Sequence, residues 1–465
     1  MRRFLIYSKS IKKQPLHLGG IIHLSNDYYL EFDTNLKVTR ISNEIVILGV
    51  VVMNENYQRH LSNIDPKDPN LADAIYNVIK DWSGRWVLIF HNLIIGDPLN
   101  SLNMFYANTS DNFILSNSLG LFMSLGYSNN SNVYNPNSLD NINWNISPQT
   151  RLRNVYLLLP FEILDLSRGI ATINRFLHTS KNKPTDIGII NQKAIDILKD
   201  YKKLDNQIYL TLTAGFDSRY LYAGLLASFI DFKNLLFVDK HIKKADIRIS
   251  KVLSKSFGIK QKRIRKSSLR IVLRGISNWK RKRKIDKFDC FNCQEIDRDW
   301  FIHGMYCDSD ESLLFRGNIG TEVFQGHKNY LYYEKGDGSS KSVVNSLRTK
   351  YPNLNNKQSE DIAYWWDYRI NFIKESGIDW RLLFWLDQRC CAWAGAINSV
   401  FDLTGYHAVN PLNCDTLLEE LYNHTNKGDI DNGYQKVFIQ YLKPELNNYP
   451  YNPKTKRMVF LKRFK

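Results

Sequence analysis

Across residues 1 to about 185 the apolar positions come in short runs, and clusters of Gly, Asn, Asp and Pro separate them. That punctuation predicts strands at 20–23, 45–53, 86–90, 113–115, 156–159 and 162–166. Between them, 72–82 repeats apolar residues at helical spacing and puts Ile75, Val78 and Ile79 on one face. After residue 186 the pattern changes. A helix with a polar face (192–204) leads into an apolar strand (208–212), then a helical pattern (219–226) and a second strand (234–238). The helix predicted at 245–257 turns Ile247, Val252 and Leu253 inward and stops at Gly258. Strands that alternate with helices predict a parallel sheet with a ligand at the carboxyl ends of its strands. Residues 360–398 read as helix and are rich in aromatics, among them Trp365, Trp366, Trp380, Phe384 and Trp393, as core packing requires.

The strand at 208–212 runs without a break into Thr213-Ala214-Gly215-Phe216-Asp217-Ser218 and then into a helix. Small residues at such a junction let the backbone approach a ligand, with amide N–H groups and the positive helix end facing it. The Thr213 and Ser218 hydroxyls add donors, and the Asp217 carboxylate suits Mg²⁺, which neutralises phosphate charge. An ordinary strand-to-helix turn has the same composition. A second apolar strand, Leu313-Leu314-Phe315, breaks into Arg316-Gly317-Asn318-Ile319-Gly320-Thr321-Glu322, another glycine-bearing loop with amides and an acid.

Composition narrows the class. The chain has 465 residues, long enough for two to three domains, with 43% hydrophobic and 23% charged residues, as in globular proteins. No apolar run approaches the roughly 20 residues of a membrane span, so no membrane partner is expected. The start is too short in apolar residues for a signal peptide. Six cysteines in so long a chain suggest reduced thiols and a cytoplasmic location. The net charge of +17 is concentrated: 260–287 holds thirteen Lys or Arg against one acid, Asp286. This segment is either a solvated basic excursion or a patch for an acidic partner such as nucleic acid. Cys290, Cys293, His303 and Cys307 are a candidate zinc set, with plain reduced thiols as the alternative.

The first loop resembles the Ser-Gly-Gly-x-Asp-Ser pyrophosphate loop of the ATP pyrophosphatase superfamily, with Thr213 and Ala214 in place of the Ser and first Gly. Phrases across the N-terminal half are similar to the glutaminase domain of asparagine synthetases: Trp82-Ser83-Gly84-Arg85-Trp86, Gly96-Asp97-Pro98, Asn112-Phe113-Ile114-Leu115-Ser116, and Thr150 to Pro160. The second loop resembles that family's Ser-Gly-Glu-Gly-Ala-Asp-Glu-Leu-Phe-Gly-Gly, with Asn318 at the first Glu and Thr321 at the Asp. Gly433-Tyr434-Gln435-Lys436 resembles its late Gly-x-x-Lys helix.

The resemblance implies an Ntn-hydrolase-like β-sandwich at 1–185 and a parallel-sheet adenine nucleotide α-hydrolase-like domain, with helical additions, at 186–465. It implies ATP and Mg²⁺ as cofactors. Thr213, Ala214, Gly215, Phe216, Asp217, Ser218, Gly317 and Gly320 would bind the nucleotide, and Asp217 and Glu322 the metal. Lys436, Glu322 and Asn318 would be catalytic. The glutaminases of this fold use an N-terminal cysteine, whereas this chain begins Met1-Arg2-Arg3 and has no cysteine before Cys290. Glutaminase activity is therefore not expected, and the sandwich would be a scaffold, as in β-lactam synthetases and lasso-peptide cyclases. The expected activity is ATP-dependent amide formation from a small-molecule or peptide carboxylate. The alternatives are a tRNA- or RNA-modifying ATP pyrophosphatase and a non-catalytic nucleotide-binding relative.

Overall fold

The computed structural model describes residues 2–9, 18–24, 28–53, 55–109, 112–128, 146, 148–166, 170–173, 186–238, 244–265, 311–318, 336–352, 354–402, 406–425 and 434–453. The chain forms two compact units. One comprises 1–178, 282–297 and 329–403, and the other 179–281, 298–328 and 404–465.

The first unit holds twelve described strands: β1 (Phe4–Ser8), β2 (Gly19–His23), β3 (Tyr28–Asp33), β4 (Val38–Arg40), β5 (Ile45–Val52), β6 (Ser83–Phe90), β7 (Leu93–Gly96), β8 (Phe105–Thr109), β9 (Asn112–Ser116), β10 (Tyr156–Leu157), β11 (Glu162–Asp165) and β12 (Ile170–Ile173). They pair as two antiparallel sheets, β10-β8-β9-β1-β3-β2 and β12-β11-β7-β6-β5-β4. Strict alternation sorts the second sheet's side chains. Val46, Leu48, Val87, Ile89, Ile94 and Leu164 join Phe4, Ile6, Leu30 and Leu115 of the first sheet in one core. Ile45, Ile47, Leu88, Phe90, Ile95 and Ile163 point the other way, onto Leu61, Ile75, Ile79, Trp82 and Trp86. A strand buried on both faces reads as a near-continuous apolar run, which is why β5 stands in the longest apolar run of the sequence.

Four of the expected strands are found within one or two residues, β6 begins three residues earlier than expected, and β10 ends at Leu157. The helix expected at 72–82 runs Leu71–Ile79, with Ile75 and Ile79 buried.

The long aromatic helix expected at 360–398 is broken in this unit. Asn356–Ser376 ends at Gly377 with φ 68°, and Trp380–Trp385 then continues as a π-helix, Leu386–Ala394, and an α-helix, Gly395–Asp402. The wide turn has a local cause. The Asn103 amide fits between the Cys391 carbonyl and the Ala396 N–H, each 2.9 Å from one of its polar atoms. Gly395 leaves room for it, since a Cβ there would clash with the Asn103 side-chain amide. Buried ion pairs tie these helices to the strands of the same unit. Arg369 meets Glu162 and Asp387, and Arg85 meets Asp402 at 2.5 Å.

The second unit is built on a parallel sheet of β13 (Ile208–Thr211), β14 (Lys233–Val238), β15 (Gln261–Arg265), β16 (Leu313–Phe315) and β17 (His407–Val409), in the order β15-β14-β13-β16-β17. All its pairings are parallel. The helix after β14 runs Lys244–Ser256; it buries Leu253 as expected, but Ile249 in place of Ile247 and Val252, which are half-buried. The first residues of the basic segment form the edge strand β15, and 266–287 lie outside the described residues. Cys390, Cys391 and Cys414 are buried. Among the described residues no helix is long and apolar enough to cross a membrane.

Candidate functional site

Strand order alone locates the site. From β13 the chain builds outward through β14 and β15 on one side, and through β16 and β17 on the other. The sheet therefore reverses direction between β13 and β16. At such a switch point the loops leaving adjacent strands diverge and open a crevice at the carboxyl ends. Both glycine-bearing loops leave the sheet here, 213–218 after β13 and 316–318 after β16.

The first loop is tightly tied. The Thr213 backbone N–H donates to Ser218 Oγ at 3.1 Å, the two hydroxyls lie 2.9 Å apart, and the Gly215 N–H donates to Thr213 Oγ1 at 3.3 Å. Gly215 is the N-cap of the helix Phe216–Ala227, so Phe216, Asp217 and Ser218 carry the first-turn N–H groups that have no partner within the helix. The Ala214 N–H donates to Asp246 Oδ1 at 2.8 Å, and Ala214 is buried in a conformation open to any L-residue.

The second loop touches the first through its backbone. A Cβ on Gly317 would lie 2.7 Å from the Asp217 carbonyl carbon and 2.9 Å from the Ser218 nitrogen, so only glycine fits as built. Arg316, the residue before it, is anchored to the neighbouring strand end. Its N–H donates to the Val409 carbonyl at 3.0 Å, and its own carbonyl accepts from Asn410 Nδ2 at 3.0 Å. Gly317 and Asn318 form the turn, and Asn318 is half-buried.

A third element closes on these loops. In the helix Tyr434–Leu442, Gln435 Nε2 donates to Asp217 Oδ1 at 2.7 Å. The next residue, Lys436, is exposed, with its Nζ 5.9 Å from the centroid of Tyr451. Tyr451 stacks on Phe216 with centroids 4.1 Å apart and planes 9° apart. Thr213 to Ser218 and Gly317 thus meet, and Lys436 stands on the helix that Gln435 bonds to Asp217. Gly320, Thr321 and Glu322 lie outside the described residues, as do Cys290, Cys293, His303 and Cys307. Arg389, in the other unit, sits with its guanidinium 3.3 Å from the centroid of Trp393.

Gln435, Asp246, Arg219 and Tyr451 were not singled out as site residues from the sequence. Arg219 lies next to Ser218 and Gln435 next to Lys436 in the late motif, so their positions pointed towards them. Asp246, on the helix Lys244–Ser256, and Tyr451, in the segment after residue 448, carry no local motif.

No family model matches the chain, and no curated protein matches it. Among solved structures it is similar to NMN synthetase from Francisella tularensis, at 13% identity over 53% of this chain and 98% of that one, with a TM-score of 0.23. It is also similar to an NH3-dependent NAD synthetase from Campylobacter jejuni in complex with nitrate (13% identity, 42% of this chain, 97% of that one, TM-score 0.19). A third likeness is to glutamine-dependent NAD+ synthetase from Acinetobacter baumannii in complex with ADP (12% identity, 50% and 52%, TM-score 0.18). These likenesses are distant, and no residue role is transferred from them.

Proposed function

We propose that this chain is an ATP pyrophosphatase-type ligase that forms an amide bond. The observation that carries the reading is the backbone contact of Gly317 with Asp217 and Ser218, which joins two glycine-bearing loops at the switch point of a parallel sheet. A substrate carboxylate oxygen attacks the α-phosphorus of ATP, the bond to the β-phosphate bridging oxygen breaks, and pyrophosphate leaves. An amine then attacks the acyl-adenylate carbonyl, AMP departs with the bridging oxygen, and the amine proton passes to a base. The amine is ammonia or a group on the substrate itself. Positioning and electrostatics supply most of the rate.

The first-turn amides of the helix Phe216–Ala227 and the Thr213 and Ser218 hydroxyls would cradle the pyrophosphate. The donor set suits Mg²⁺, because Asp217 presents a part-exposed carboxylate beside these phosphate donors. Asp217, with Glu322 as the second carboxylate, would hold that ion, which when bound neutralises phosphate charge. Lys436 is assigned to the developing charge and Asn318 to the substrate carboxylate. The two antiparallel sheets serve in this reading as a glutaminase-like scaffold.

Inorganic pyrophosphate with Mg²⁺, titrated calorimetrically into the full chain, tests the reading. Binding that Asp217→Ala weakens at least about tenfold with an unchanged far-UV spectrum supports it. A wild-type chain that binds neither pyrophosphate nor ATP overturns it. The cationic edge strand β15, with Lys262 and Arg263, favours an RNA-modifying ATP pyrophosphatase as the second reading. Binding of tRNA that falls steeply with salt would select it.

A further inference from the structure

The helix that begins at Phe216 carries an unusual cation. Arg219 is fully buried, and among the described residues no carboxylate faces it. Its guanidinium donates to four backbone carbonyls: Tyr449 at 2.8 Å, Pro450 at 3.0 Å, Ala214 at 3.3 Å and Leu446 at 3.5 Å. Three of these belong to one late segment and the fourth to the first loop. The Asn452 N–H donates to the same Ala214 carbonyl at 3.1 Å. Burying a cation without a counter-ion costs several kcal/mol, which carbonyl dipoles offset only in part. These bonds join the late segment to the first loop.

Tyr451 is the part of that segment that reaches the site. Its ring lies between the Phe216 ring, at 4.1 Å, and the Arg219 guanidinium, 3.8 Å from its centroid, with Lys436 Nζ at 5.9 Å. Its hydroxyl bonds to Asn447 Oδ1, and Asn447 Nδ2 donates to the Lys436 carbonyl at 3.1 Å and to Gln440 Oε1 at 2.8 Å. One aromatic side chain therefore connects the loop, the buried arginine and the helix that carries Lys436.

We propose that Tyr451, seated by Arg219, is a positioning residue of the anion site, fixing Lys436 relative to the loop. The inference rests on the pyrophosphate-site reading above, and the experiment separates the two. Pyrophosphate with Mg²⁺ is titrated into the full-length chain and its Tyr451→Leu, Tyr451→Phe, Lys436→Ala and Tyr451→Leu/Lys436→Ala variants. Tyr451→Leu should weaken binding about tenfold, the scale of one ring stack plus one cation–π contact, and Tyr451→Phe should restore most of the affinity. The double variant should bind about as well as Lys436→Ala alone, because the tyrosine acts through the lysine. A general structural lesion would instead add to the lysine's loss, and that result overturns the proposal. So does wild-type affinity in Tyr451→Leu while Asp217→Ala abolishes binding, an outcome that leaves the pyrophosphate site intact. Failure of the wild-type chain to bind pyrophosphate removes both.

Discussion

Gly317 packs against the backbone of Asp217 so closely that a single added methyl would come within 2.8 Å of the Asp217 carbonyl oxygen. The clash is with backbone at a helix start, so no side-chain rotation relieves it. Gly317→Ala should cost about 1–3 kcal/mol, the usual scale of overpacking, and move the two loops apart. Calorimetric titration with pyrophosphate and Mg²⁺ should then show affinity reduced about tenfold. Unchanged affinity would mean that the contact of the two loops does not shape the anion site.

Gln435 bonds Asp217 from the residue before Lys436, which makes it the direct link between the proposed metal carboxylate and the proposed catalytic lysine. The Gln435 side chain is buried, and the Asp217 carboxylate that it bonds is part-exposed. Hydrogen bonds to charged groups are worth about 1.5–3 kcal/mol, part of which Gln435→Leu recovers by burying an apolar side chain of similar size. The expected result is pyrophosphate binding weakened about three- to tenfold, with thermal stability close to wild type. A large loss of stability with unchanged affinity would assign Gln435 to packing.

The sequence showed the strands and loops of this site better than its enclosure. The apolar run before Thr213 and the triplet Leu313-Leu314-Phe315 mark β13 and β16 because both are buried on two faces. Their adjacency is a property of the sheet, and nothing local announces it. β1 and β3, Phe4–Ser8 and Tyr28–Asp33, escaped the pattern because Tyr7, Glu31 and Asp33 interrupt their apolar runs. Tyr7 donates to Glu31 Oε1 at 2.7 Å, and Arg3 Nε donates to Asp33 Oδ2 at 3.0 Å. The π-helical turn in the aromatic stretch accommodates Asn103, almost 300 residues earlier in sequence, so periodicity could not reveal it.

Arg369 is the centre of a charge cluster with no exposed member. Its Nε and one terminal nitrogen bond the two Asp387 oxygens at 2.9 and 3.0 Å, and Glu162 lies 3.3 Å from the other terminal nitrogen. Trp365 Nε1 donates to Asp387 at 2.8 Å. Arg369→Leu leaves two buried acids without their cation and should cost about 3–5 kcal/mol. Replacing Arg369, Glu162 and Asp387 together by apolar residues should recover most of that loss. Urea unfolding followed by tryptophan fluorescence checks both. A triple variant as unstable as Arg369→Leu would show that the cluster's hydrogen bonds, and not charge balance, carry its stability.

Glu162 gives this cluster a pH dependence. Burial is the largest influence on it and outweighs the nearby Arg369, so its pKa rises from 4.5 to about 7. Its Oε2 accepts the Leu159 N–H at 2.7 Å, which opposes the shift without cancelling it. A carboxyl whose folded pKa lies above its unfolded one binds its proton more tightly in the folded chain. Between about pH 4.5 and about pH 7 the folded state therefore holds more protons, and stability contributed here falls as pH rises. Asp387 is shifted up by burial as well and acts in the same direction. Glu162→Gln, which keeps the shape and removes the titration, should flatten the decline in urea midpoint across that window without abolishing it. A slope identical to wild type would place the titrating group elsewhere in the unit, with Asp387 the first to test by Asp387→Asn.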